Sequence, residues 1–208
     1  MMILFDRVSL TFENKIILTE FSLQVRPGDR VLVSGKSGIG KSTLLRMLLG
    51  FVQPQQGAVH YKGQVMSPEV AVRVRGEAAY VSQSLDIGQG KVGTFLDEIF
   101  SYKVHHGRQT PRRIRDSIRR FLELSDGIEE EKLDSLSGGE KQRVALWTAL
   151  MTQRKLLLLD EVTSQLDHDM KKKVADYLLS LKDCTMICIS HDACWKQDRS
   201  IRRVTLGG

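Results

Sequence analysis

The sequence predicts an α/β protein: a central, mostly parallel sheet flanked by helices, an antiparallel β edge and an inserted helical subdomain. Three observations carry that expectation. Short apolar runs at 80–82, 155–159 and 185–190 each end in polar residues, as buried parallel strands do. A helical pattern, Met170, Val174, Tyr177, Leu178 and Leu181, separates the last two runs. Between about residues 84 and 135 the strand-like runs stop, and the chain becomes charged with helical spacing.

The elements follow in order. Val8, Leu10 and Phe12 alternate with Arg7, Ser9 and Thr11, and residues 21–25 alternate likewise, so both read as half-buried edge strands. Residues 30–34 form an apolar run that enters a glycine-rich turn and then a helix over 41–49, closed by Gly50. In the helical segment, Thr110 and Pro111 read as cap and first position of a helix. Ile114, Ile118, Phe121 and Leu122 form its apolar face, which leaves most of Arg112, Arg113, Arg115, Arg119 and Arg120 on the solvated side. A last strand is expected over 202–206.

Composition bounds the function. With 208 residues, 41% hydrophobic and 27% charged, the chain is a globular protein able to bury a core. No run approaches the roughly 18 apolar residues of a membrane helix, and the first residues lack the pattern of a secretory signal, so a cytosolic location is expected. Cys184, Cys188 and Cys194 lack metal-site spacing, and Cys188 sits in an apolar run, so buried reduced thiols are expected rather than a metal site with His191. The net charge of +6 permits an anionic partner, but the arginines' helical spacing favours a solvated or protein-docking face over nucleic acid.

The chemistry begins at Gly35, Lys36, Ser37, Gly38, Ile39, Gly40, Lys41, Ser42 and Thr43, a GxxxxGKS match between strand and helix. Glycines there let backbone N–H groups wrap phosphates, the helix start adds partial positive charge, Lys41 reaches the β and γ oxygens, and Ser42 can ligate Mg²⁺. The core is thus expected to be of the P-loop NTPase type. Asp160, ending an all-leucine strand, supplies the carboxylate for the metal, and Glu161 beside it is placed to act as general base on a water.

Leu136, Ser137, Gly138, Gly139, Glu140, Lys141, Gln142 and Arg143 form a stretch that resembles the signature motif of the ABC ATPases. Physically it is a second anion cradle, with Ser137, Gly138 and Gly139 at a helix start. The resemblance extends over essentially the whole chain as one domain, residues 1–83 and 136–208 forming the core and 84–135 the helical part. It implies that Gln83 joins core and helical part and senses Mg²⁺, that residues 164–167 ending at Asp167 touch a second cassette, and that His191 contacts the γ-phosphate. Phe12 lies where the family usually stacks a tyrosine on adenine; packing into the core is the competing use of that side chain.

The family binds ATP between the P-loop of one cassette and the signature motif of another. The resemblance therefore implies ATP and Mg²⁺ as ligands, a second copy as partner, and a separate integral membrane transporter subunit that holds the chain peripherally on the cytoplasmic face. The groove beside residues 95–100 is where such a subunit is expected to dock. No nucleic acid is expected: the alternative, a cassette acting on nucleic acid or ribosomes, belongs to relatives with two cassettes or long coiled coils. Val162 stands where many transport cassettes have proline, which leaves the subfamily open, whereas Glu129, Glu130, Glu131 and Lys132 do not match the segment of exporters whose cassette is fused to its membrane domain, which argues against that subfamily.

Overall fold

The computed structural model describes residues 1–207 apart from 14, 85–87, 103–109, 197 and 199. The chain opens with strands β1 (Ile3–Phe12), β2 (Lys15–Val25) and β3 (Arg30–Ser34), then helix α1 (Lys41–Leu48). Strands β4 (Gln56–Tyr61) and β5 (Gln64–Val65), helix α2 (Pro68–Glu77) and strand β6 (Ala78–Val81) follow. Helices α3 (Val92–Ser101), α4 (Arg112–Phe121) and α5 (Gly138–Met151) precede β7 (Leu156–Asp160). Helix α6 (His168–Ser180) and strands β8 (Thr185–Ile189) and β9 (Arg202–Thr205) complete the chain.

The strands make two sheets. One is parallel throughout, in the order β6-β7-β8-β3-β9, and the other is antiparallel, in the order β2-β1-β4-β5. The parallel strands read as unbroken apolar runs because both faces are covered, and period-two geometry sends alternate residues to different cores. Leu157, Leu159, Met186, Cys188 and Leu32 pack with α5, α6 and the helical part, whereas Leu156, Leu158, Ile187, Ile189, Val31 and Val33 pack with α1 and the antiparallel sheet. Burial of each such leucine contributes about 1.5–3 kcal/mol, so the ends of these strands, where the chemistry sits, are anchored from two sides.

The expected strands and helices appear, most of them shifted by a residue or two at their ends, but β1 begins at Ile3 rather than Arg7 and β2 at Lys15 rather than Phe21. The sequence reading passed over β4, β5 and α2. Val59 and Tyr61, both buried, carry the alternation of β4, but Gly57 and the turn at Lys62 and Gly63 leave too short a run to stand out. For α2 the signal was present: Ser67 accepts a hydrogen bond from the Val70 N–H at 3.3 Å, and Pro68 occupies the first turn.

The start of α4 differs from expectation. Pro111 takes the cap position, and Thr110 Oγ1 donates to the Met151 carbonyl instead, tying α4 to the end of α5. The apolar face holds at Ile118 and Leu122, while Ile114 is exposed. Arg112, Arg113 and Arg120 are solvated, but Arg115 pairs with Glu129 at 2.5 Å and lies over the Trp147 ring, and Arg119 pairs with Asp126. These two arginines brace the helical part. Cys188 is fully buried in β8, which pushes its thiol well up, and no metal-binding group of side chains occurs among the described residues. No described helix is long and apolar enough to cross a membrane.

Candidate functional site

The carboxyl ends of parallel strands meet along one edge of a sheet, where ligands of open α/β folds bind. Here β3 runs into the loop 35–40, β6 leads to Gln83, β7 ends at Asp160 and β8 leads to His191. Ser37, Gly38, Gly40, Lys41, Ser42 and Thr43 line a cleft of about 580 Å³ together with Gln83, Asp160, Glu161 and His191. A larger hollow of about 850 Å³ at the opposite ends of the strands holds none of these residues.

Within the loop, Lys41 Nζ donates to the carbonyls of Gly35 and Lys36, both at 3.0 Å, which folds the ammonium back over the turn. Gly40 sits at the helix cap with φ 103°, and a Cβ there would stand 2.3 Å from Ile17 Cγ2, so only glycine fits. Ile39 turns its side chain toward Gly207 and, like Gly35 and Lys36, does not line the cleft. No side chain caps α1, so its first N–H groups face the cleft.

Ser42 Oγ donates to Asp160 Oδ1 at 3.1 Å. Burial raises the Asp160 carboxyl, against the Ser42 hydrogen bond and the charges of Arg46 and Lys41. A buried carboxylate, a hydroxyl and the nearby amide of Gln83 make an all-oxygen donor set, which fits a hard divalent cation such as Mg²⁺. Glu161 is 8% exposed, and burial raises its carboxyl above the ordinary range, partly countered by His191. His191 Nε2 stands 3.6 Å from Glu161 Oε1. The backbone of Glu161 is left-handed, φ 52°, and held by its N–H donating to the Ile189 carbonyl at 2.9 Å.

Phe12 is 64% exposed, so core packing does not use it. It pairs in register with Lys15, whose Nζ donates to the Gly38 carbonyl at 3.3 Å. Directly paired residues share a sheet face, so Phe12 lies on the face that looks over the loop. Ile17 in this cleft, and Lys15 beside its loop, escaped the sequence reading because only the hairpin register brings them there. Arg46, Ser164, Lys171 and Asp192 also line it. Asp192 accepts from Lys171 at 2.7 Å and from Thr163 at 2.6 Å; burial raises its carboxyl, but these partners hold it below the usual range. The acid beside His191 was the available signal.

Ser137, Gly138, Gly139 and Asp167 do not line the cleft. Ser137 caps α5 in a reciprocal box, its hydroxyl accepting from the Glu140 N–H at 3.3 Å while Glu140 Oε2 accepts from the Ser137 N–H at 2.9 Å. Asp167 caps α6 by accepting from the Met170 N–H at 2.9 Å. Both turns are exposed, and Gln165 of the second packs directly against Gly138 of the first.

The ABC transporter family model matches residues 18–164, well over half of the chain. The probable iron export ATP-binding protein FetA of Escherichia coli (strain K12) is 31% identical over 85% of this chain and 78% of its own length. The lactococcin-G-processing and transport ATP-binding protein LagD of Lactococcus lactis subsp. lactis is also 31% identical, over 89% of this chain but 27% of its own length. Among solved structures, a bacterial Atm1-family ABC exporter with ATP bound superposes with a TM-score of 0.82 at 26% identity, covering 99% of this chain and 38% of that one. The chain belongs to the ABC transporter family. Its fold is that of an ATP-binding cassette: a dimeric cassette bound to ADP and phosphate matches with a TM-score of 0.80 over 100% of this chain and 97% of that one, at 23% identity.

Proposed function

We propose that this chain hydrolyses ATP as one of a pair of cassettes and thereby drives a separate membrane transporter subunit. One observation carries the reading: the chain holds two glycine-bearing helix starts on separate surfaces, one inside a cleft with acid and imidazole, the other outside it. In a head-to-tail pair, Ser137, Gly138 and Gly139 of a second copy would close over the nucleotide in the cleft, with the turn ending at Asp167 at the join. The one-domain division, 1–83 and 136–208 against a helical part at 84–135, belongs to this reading. So does peripheral attachment to the cytoplasmic face through the partner subunit.

The roles follow from charge and position. Phe12 offers a ring face to adenine. Backbone N–H groups of the loop from Gly35 to Thr43, with Lys41, take the phosphates. Ser42, Asp160 and Gln83 would hold Mg²⁺, which when bound neutralises charge on the β- and γ-phosphates. Glu161 accepts the proton of a water as its oxygen bonds to the γ-phosphorus and the bond to the bridging oxygen breaks, giving ADP and phosphate. His191 donates to a γ-phosphate oxygen. The names of FetA and of the spermidine/putrescine import protein PotA of Spiroplasma citri describe an exporter and an importer, so they support transport without fixing its direction.

The test is to purify Glu161→Gln with ATP and measure its mass in solution, then to identify what it carries from detergent-solubilised membranes of its own cells. A doubled mass that reverts without ATP, with a multi-span membrane protein recovered, is expected. A monomer at saturating ATP would overturn the pairing, and recovery of ribosomal proteins or nucleic acid alone would overturn the transport role.

A further inference from the structure

Pairing raises a question of wiring. Each chain would place its Glu161 on one nucleotide and its α5 start on the other, so the two sites communicate only if these two parts are mechanically joined within a chain. The polar side chain at that junction is Gln142, just past the first turn of the helix that Ser137 caps and 0% exposed. Its Nε2 donates to the Glu161 carbonyl at 3.0 Å, and its Oε1 accepts from the Gln165 N–H at 2.8 Å. The Glu161 carbonyl also accepts from the Ser164 N–H at 3.1 Å, so the amide closes a turn that holds Glu161 in its left-handed backbone.

Contact is tight at the other end of the same lever. A Cβ on Gly138 would fall 1.9 Å from Gln165 Oε1, and one on Gly139 would fall 3.0 Å from the Gln165 carbonyl. Gln165 therefore touches the anion-binding turn with its side chain and carbonyl, while its N–H is held by Gln142. A buried amide is costly unless both its ends are bonded, and here both are, in directions that fix the rotation of α5 against residues 161–165. An apolar side chain of similar size would fill the space without fixing that rotation.

We infer that Gln142 is a positioning residue that couples the Glu161 segment of its own chain to the α5 turn of that chain, so that occupation of the nucleotide site holding the segment sets how the turn closes on the other site of the pair. The inference rests on the pairing and hydrolysis proposed above. It assigns the coupling to a residue that touches no nucleotide.

The experiment uses pairs assembled from two differently tagged chains. In the reference pair one chain carries Glu161→Gln, so turnover comes only from the unaltered chain's Glu161. In the test pair the Glu161→Gln chain also carries Gln142→Met, leaving the working Glu161 with its own Gln142 intact. Coupling predicts that the test pair turns over at least about threefold more slowly than the reference, with ATP affinity within about twofold. A residue that only supports its own Glu161 predicts equal rates, and equal rates overturn the inference. If the Met variant does not fold, Gln142→Glu keeps an acceptor for the Gln165 N–H, loses the donor to Glu161, and gives the same two outcomes. Absence of turnover in the unaltered pair would instead remove the hydrolysis reading, whereas normal turnover there with equal mixed-pair rates removes the coupling alone.

Discussion

The starts of α1 and α5 use one physical device, a glycine-bearing turn that opens a helix, in two different settings. At α1 the turn has no side-chain cap, its lysine is folded onto its own carbonyls, and its cleft is walled by Asp160, Glu161 and His191. At α5 the turn is capped by the reciprocal Ser137 and Glu140 bonds and lies exposed. The first turn has its chemical partners within the chain; the second is capped at Ser137 and Glu140 and lies outside the cleft that holds the acid and imidazole. In the proposed function, the first surface holds and cuts a phosphate and the second is applied to one.

If that contrast holds, changes at the two turns should separate chemistry from assembly. The largest effect is expected at Glu161→Gln, which should lower turnover by about a thousandfold or more while leaving ATP affinity nearly unchanged, read by phosphate release and equilibrium binding. The raised carboxyl gives a companion test. A base works ionised, so in the unaltered protein turnover should drop about tenfold per pH unit below the Glu161 pKa, starting above the range of ordinary carboxylates.

Next, Lys41→Ala removes a charge-assisted contact and should weaken ATP binding about ten- to a hundredfold, measurable by calorimetry on the monomer. Gly138→Ala addresses the other turn. Its Cβ would strike Gln165, so turnover should fall about tenfold while monomer affinity for ATP stays level; a matching loss of affinity would erase the division between the turns. Smallest is Phe12→Ala, which should weaken ATP about three- to tenfold, with Phe12→Tyr restoring it.

Legibility in the sequence followed contiguity. The loop 35–43, the pair Asp160 and Glu161 and the stretch 136–143 are runs of adjacent residues whose chemistry is local, so the sequence alone exposed them. Ile17 and Lys171 become cleft residues, and Lys15 reaches Gly38, only through strand register and helix placement, and no local pattern marks them. Phe12 shows the limit well: alternation put it in a strand, but the exposure that removes core packing depends on what lies across the sheet. Gln142 stood inside the recognised stretch, and its two buried bonds link segments that the sequence separates by about twenty positions.

Glu161 has one more consequence, which concerns selection rather than mechanism. A side-chain-bearing residue in the left-handed region costs about 1 kcal/mol that glycine escapes, and this chain places that burden, with a buried carboxylate added, on its proposed base. Glu161→Gly should therefore melt at a higher temperature than the unaltered protein while losing turnover. Thermal robustness and work pull this position in opposite directions, so a lineage freed from hydrolysis would be expected to lose its glutamate early.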